Sequence, residues 1–131
     1  MTTAPSLPGL PGALGIQLTH LGGDRVTMTL TVSAEHLVPD VGHIHAGTLV
    51  TLADTACGYG CRHTLPDGAT GFVTLELKAN LLRSARVGDR LLCTATPVHR
   101  GRRTHVWDAA VTLAEDPTKP LALFRCTQLI L

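Results

Sequence analysis

From Arg25 to Ser33 the chain reads Arg-Val-Thr-Met-Thr-Leu-Thr-Val-Ser, an apolar residue at every second place with threonines between. A period of two sends Val26, Met28, Leu30 and Val32 to one face of an extended segment and the threonines to the other, so the pattern predicts a half-buried strand. Residues 13–21 alternate in the same way, and Gly22-Gly23-Asp24 between the two runs carries turn chemistry, which makes them a hairpin. The second half of the chain returns to this period. In Phe72–Leu81 it places Val73, Leu75, Leu77, Ala79 and Leu81 on one face and Phe72, Thr74, Glu76, Lys78 and Asn80 on the other. Further strands are predicted over Leu91–His99, Thr104–Ala114 and Leu121–Leu131, separated by turns at Arg100–Arg103 and Asp116-Pro117.

One stretch breaks the period. Between His45 and Arg62, the residues Leu49, Leu52, Ala53, Ala56, Cys57, Gly60 and Cys61 recur at three- and four-residue spacing, which is the period of a helix. The stripe is narrow and made mostly of small side chains, as suits a helix lying close against a sheet. Residues 34–44 connect hairpin to helix through Pro39, Gly42 and the His43-Ile44-His45 triplet, and Leu65-Pro66-Asp67-Gly68 ends the helix in a turn. The order is β-β-α-β-β-β-β. Short turns between successive strands predict a mainly antiparallel, about six-stranded sheet curled around one long central helix, an α+β architecture.

Composition narrows the function. The chain has 131 residues, of which 44% are hydrophobic and 16% charged, enough for one folded domain over residues 13–131. Residues 1–12, with three prolines, are expected to form a loose arm. Four aromatic residues (Tyr59, Phe72, Trp107 and Phe124) and a net charge of +1 argue against nucleic-acid binding, which needs stacking platforms or basic surface. No apolar run reaches the ~20 residues of a membrane span, and the N-terminus lacks a secretory signal, so a cytoplasmic protein is expected. Cys57, Cys61, Cys93 and Cys126 fall inside apolar patterns and are expected to be buried thiols.

Candidate chemistry gathers on the helix. Asp54 is the one acid in an otherwise uncharged run, a place where a carboxylate costs stability unless paired or used. Gly47 sits where the first helical N–H groups have no partner within the helix and, with the helix dipole, can hold a developing negative oxygen. These two residues are seven apart, so they lie on one face but roughly 10 Å apart along the axis at about 1.5 Å per residue. They cannot both touch one carbonyl from the same helix. If both serve one reaction, Asp54 comes from a neighbouring subunit, and a two-fold dimer with antiparallel helices supplies two equivalent sites. His36, His43 and His45 lack a nearby carboxylate or cysteine to complete a metal set, so no metal is expected.

The run Gly42-His43-Ile44-His45-Ala46-Gly47, followed by Leu52-Ala53-Asp54-Thr55-Ala56, resembles the PaaI-type acyl-CoA thioesterases of the hotdog fold, whose pattern places an acid nine residues after a histidine. The resemblance extends from about residue 13 to the C-terminus and includes the Val87-Gly88-Asp89 and His99-Arg100-Gly101-Arg102 turns. It implies hydrolysis of an acyl-CoA to free acid and coenzyme A, with no cofactor beyond the coenzyme carried by the substrate. The Gly47 N–H would polarise the carbonyl, His45 would hold the loop or contact the thioester, and Asp54 of the facing subunit would act as general base or nucleophile. Thr74 would orient water, and Arg102 and Arg103 would contact the coenzyme. It also implies a dimer or a dimer of dimers. Ala46 replaces the first glycine of the family pair, and Pro39 stands where relatives commonly carry a catalytic Asn. Proline offers no side-chain hydrogen bond, which keeps a non-catalytic acyl-CoA-binding module as the rival reading. A dehydratase is disfavoured, and the acyl group is open.

Overall fold

The computed structural model describes residues 6–131. The hairpin strands are β1 (Gln17–Leu21) and β2 (Val26–Thr31), the long helix is α2 (Ala46–His63), and the remaining strands are β3 (Phe72–Leu81), β4 (Arg90–Arg100), β5 (Thr104–Leu113) and β6 (Asp116–Ile130). A short helix α1 (Gly9–Ala13) precedes them. The strands form one sheet in the order β1-β2-β4-β5-β6-β3, every neighbouring pair antiparallel. Helix α2 touches all six strands. This is the expected sheet wrapped on a single helix, the architecture of the hotdog fold.

The small-residue stripe explains how close helix and sheet come. Leu49, Leu52, Ala53, Ala56, Cys57, Gly60 and Cys61 are all buried. At Gly60 a Cβ would lie 2.4 Å from the Trp107 ring of β5, so only glycine admits the fully buried indole there. Trp107 Nε1 donates to His105 Nδ1 at 3.3 Å, which gives the indole N–H a partner inside the core. Val26, Met28, Leu30 and Val32 are buried together, as their alternation requires. All four cysteines are free and buried. A hydrogen bond to Cys126, with burial, pushes the Cys57 thiol well up, and burial pushes Cys93 to about 12 and Cys61 to about 11. Cys57, Cys61 and Cys93 are thus held as thiols at neutral pH.

Three expectations change. The first five residues of the expected arm lie outside the described residues. Its last part is not loose, since Gly9–Ala13 is helical and packs on α2, so the first strand begins at Gln17 rather than residue 13. The turn expected at Asp116-Pro117 falls earlier, at Ala114-Glu115, and β6 starts at Asp116. The third change concerns β3. A β-bulge between Thr74 and Glu76 inserts Leu75 as an extra residue. Beyond it Leu77 pairs with the buried Cys126 and Ala79 with the buried Phe124, whereas before it Thr74 pairs with the buried Gln128. Partners directly opposite share a face. Thr74, Leu77 and Ala79 therefore look toward α2 while Val73 looks away, and the single apolar face that strict alternation predicts does not exist.

Candidate active site

The start of α2 is fixed by the loop before it. His36 is buried, its Nε2 donating to the Leu14 carbonyl at 2.6 Å and its Nδ1 accepting from the Ser33 N–H at 3.0 Å. The His36 carbonyl accepts from the His45 N–H at 2.8 Å and from the Thr48 hydroxyl at 3.2 Å, and the Ile44 N–H donates to Ala85 at 2.8 Å. His36 is thus a structural brace for the helix start. Among the described residues, no three His, Cys, Asp or Glu side chains converge as metal ligands would.

His45 is the N-cap of α2, and its Nδ1 accepts the Gly47 N–H at 2.8 Å. The amide expected to meet a substrate oxygen is therefore engaged by the neighbouring imidazole. The Ala46 N–H, one residue earlier and exposed, has no hydrogen-bond partner among the described residues. Two turns further on, Asp54 lines a cleft of about 280 Å³ together with Thr55, Gly58, Tyr59, Arg62, Phe72 and Thr74, closed on one side by Pro8 and Pro11. The bulge of β3 is what brings Thr74 here, on the helix side. Burial alone holds the Asp54 carboxyl above its ordinary value. A carboxyl tuned upward in a cleft is suited to accept a proton from water.

The structure brings Asp54 and Thr74 into one cleft and leaves His45 and Gly47 outside it. Arg102 and Arg103 lie at a separate concavity with His99, Gly101 and Thr104. Arg100 is occupied, donating to the Gly23 carbonyl at 2.7 Å and pairing with Asp24 at 3.2 Å. A larger concavity of about 620 Å³ lies between Lys78, Asn80, Thr94, Thr96 and the Asp108–Arg125 ion pair, away from Asp54. Sequence reasoning missed Gln128. It is fully buried on β6, opposite Thr74 in register; its Nε2 donates to the Cys57 carbonyl at 3.2 Å, and its Oε1 has no partner. A polar residue at the place where the alternation of Ala122, Phe124 and Cys126 calls for an apolar one was the available signal.

Comparison with known proteins decides what this arrangement belongs to. A model of the thioesterase superfamily matches residues 41–119, the span that holds the end of the loop, α2 and β3 to β5. The chain belongs to the thioesterase superfamily. It is 34% identical to the acyl-coenzyme A thioesterase PaaI of Escherichia coli over 115 residues, 86% of this chain and 76% of that protein. It is 35% identical to the 1,4-dihydroxy-2-naphthoyl-CoA hydrolase of Escherichia coli over 103 residues, 76% of this chain and 71% of that one. The solved structure of PaaI from the phenylacetic acid degradation operon of Escherichia coli superposes with a TM-score of 0.80 at 30% identity, covering 92% of this chain and 83% of that one. The hotdog domain is therefore a thioester hydrolase of PaaI type, and the binding-module reading gives way to an enzyme. In this thioesterase the superfamily match begins just before the His45 cap and contains both Asp54 and Thr74.

Proposed function

We propose that this thioesterase hydrolyses an acyl-CoA at a composite site, with Asp54 from one protomer and the start of α2 from its twin. The observation that carries the reading is the separation just described. The tuned carboxyl and the unpartnered amide sit on one helix, and Asp54 is eight residues past Ala46, roughly 12 Å at about 1.5 Å per residue. Both become useful to one carbonyl when two helices run antiparallel across a two-fold axis. The exposed apolar side chains of β3, an edge strand with a free row of backbone groups, supply the surface for that pairing.

In this scheme the thioester oxygen rests on the partner's Ala46 amide, joined by the Gly47 amide once the His45 ring turns from it. Asp54, with Thr74 orienting the water, takes a proton as the water oxygen bonds to the carbonyl carbon. The oxyanion collapses, the carbon–sulfur bond breaks, and the coenzyme thiolate takes up the proton held by Asp54. Pro39 lends the oxyanion no side-chain donor, so the amides carry that work. Arg102 and Arg103, exposed on the rim, are the cations proposed for the coenzyme phosphates.

A complementation experiment tests the composite site. Asp54→Asn removes the base. Ala46→Pro removes the amide proton at the first helical position, where proline is tolerated, and the preceding residue already has φ −71 and ψ 134 as proline requires. Each variant alone should lose about 10²-fold or more in turnover of the best acyl-CoA. Unfolded and refolded together, they should regain about a quarter of wild-type activity, since half the dimers are mixed and each holds one intact site. Recovery no greater than the sum of the separate variants would place the site within one protomer.

A further inference from the structure

We propose that the Asp54 cleft is an acyl pocket for a chain whose far end carries a carboxylate, with Arg62 as the residue that reads it. The proposal rests on the thioesterase reading of Asp54 above and goes on to name the acyl class. Asp54, Gly58 and Arg62 follow one another a turn apart on one face of α2, with Thr55 and Tyr59 beside them, and all line the same cavity of about 280 Å³. From Asp54 to Arg62 the axis rises roughly 12 Å. An acyl chain whose carbonyl is held at Asp54 then runs along the helix, past Gly58 and between Tyr59 and Phe72, toward Arg62. The tip of the Phe72 ring packs on Gly58, 3.3 Å from where a Cβ would stand, and so forms the wall of the cleft at this point. Helical side chains lean toward the N-terminus, the direction in which the cleft lies from Arg62, and Arg62 lines that cleft.

The charge of Arg62 is not spent inside the protein. Asp54 does not neutralise it: burial alone shifts that carboxyl, and upward, whereas a guanidinium in ion-pair range would pull it down. Among the described residues the ion pairs are Arg100–Asp24 and Arg125–Asp108, and no side-chain hydrogen bond engages Arg62. Its place in the last turn of α2 suits a cation but leaves all five donors uncommitted. A planar donor fork at the end of an aromatic-walled slot matches a carboxylate held by two parallel hydrogen bonds. The coenzyme phosphates are the other anions the substrate carries, and the experiment separates the two.

Thiol release is followed for adipyl-CoA and hexanoyl-CoA, chains of equal length that differ in the terminal carboxylate, with wild type, Arg62→Gln and Arg62→Lys. Wild type should favour adipyl-CoA in kcat/KM by about tenfold or more, the worth of a charge-assisted contact. Arg62→Gln should bring the ratio close to unity, and Arg62→Lys should restore part of it. A wild-type ratio near unity overturns the proposal. So does a preference that survives Arg62→Gln, including the case where both thioesters slow in step because Arg62 meets the coenzyme. Release from neither substrate overturns the acyl-CoA hydrolase reading and this proposal with it, an outcome distinct from equal release.

Discussion

Strands β3 and β5 are both ten residues long and both alternate apolar with other residues, yet they lead opposite lives. β5 has a neighbour on each side and α2 across its face, and Trp107, Ala109 and Val111 are buried. β3 has one neighbour, and Val73, Leu75 and Leu77 are 45%, 56% and 42% exposed. The same pattern serves a folding core in one strand and an uncovered edge in the other. An apolar edge invites pairing with another chain, even one that carries Glu76 and Lys78 among its apolar side chains. β3 also carries Phe72 and Thr74 into the Asp54 cleft. On this reading β5 holds the protomer together, while β3 serves assembly and chemistry.

The sharpest way to break that contrast is Trp107→Ala, which should cost about 3–5 kcal/mol in a denaturant titration, since the indole is fully buried and fits only over Gly60. Next comes Leu77→Lys on the exposed strand. The fold should lose about 1 kcal/mol, since this side chain faces α2 and is 42% exposed, while sedimentation reports monomer and hydrolysis fails with the lost dimer. A Leu77→Lys protein that stays dimeric and active would erase the distinction. Thr74→Val, similar in shape, should leave both fold and assembly alone and lower kcat about tenfold, the worth of one positioned hydroxyl bond.

The smallest effect is one of pH. Burial raises the Asp54 carboxyl, so the folded state holds that proton more tightly than the unfolded chain. Its contribution to stability is present at low pH and is lost as pH rises through the raised value. Activity runs the other way, because the unprotonated form is the base. Asp54→Asn should therefore be somewhat more stable than wild type at neutral pH and equal to it in acid, by parallel thermal unfolding at both. Wild type should lose kcat/KM as pH falls through a range above that of an ordinary aspartate.

Most of the fold was legible in sequence because it rests on periodicity. The threonine-spaced strand at β2 and the small-residue stripe of α2 each bury what their spacing says they bury. Asp54 was legible as an uncompensated acid in an apolar run, and Gly47 as a helix start. What escaped depends on single residues that leave no periodic trace. Leu75 preserves composition and apolar count, so nothing in the letters marks it as the extra residue of a bulge. Whether the Gly47 amide is free depends on the rotamer of His45, two residues away, and the pattern of the loop is silent on that. Alternation in β3 signals burial but not by what, because a partner chain asks for the same residues as a core.

The bulge at Leu75 ties two properties to one backbone irregularity. Were Leu75 instead drawn into the ladder opposite Gln128, every earlier residue would slip by one place, and the Thr74 hydroxyl would turn out of the cleft with the side chains before it. Whatever lineage or engineer reshapes the rim of this enzyme thus cannot tune water placement and subunit matching separately there. Both are set by a single hinge of surplus chain.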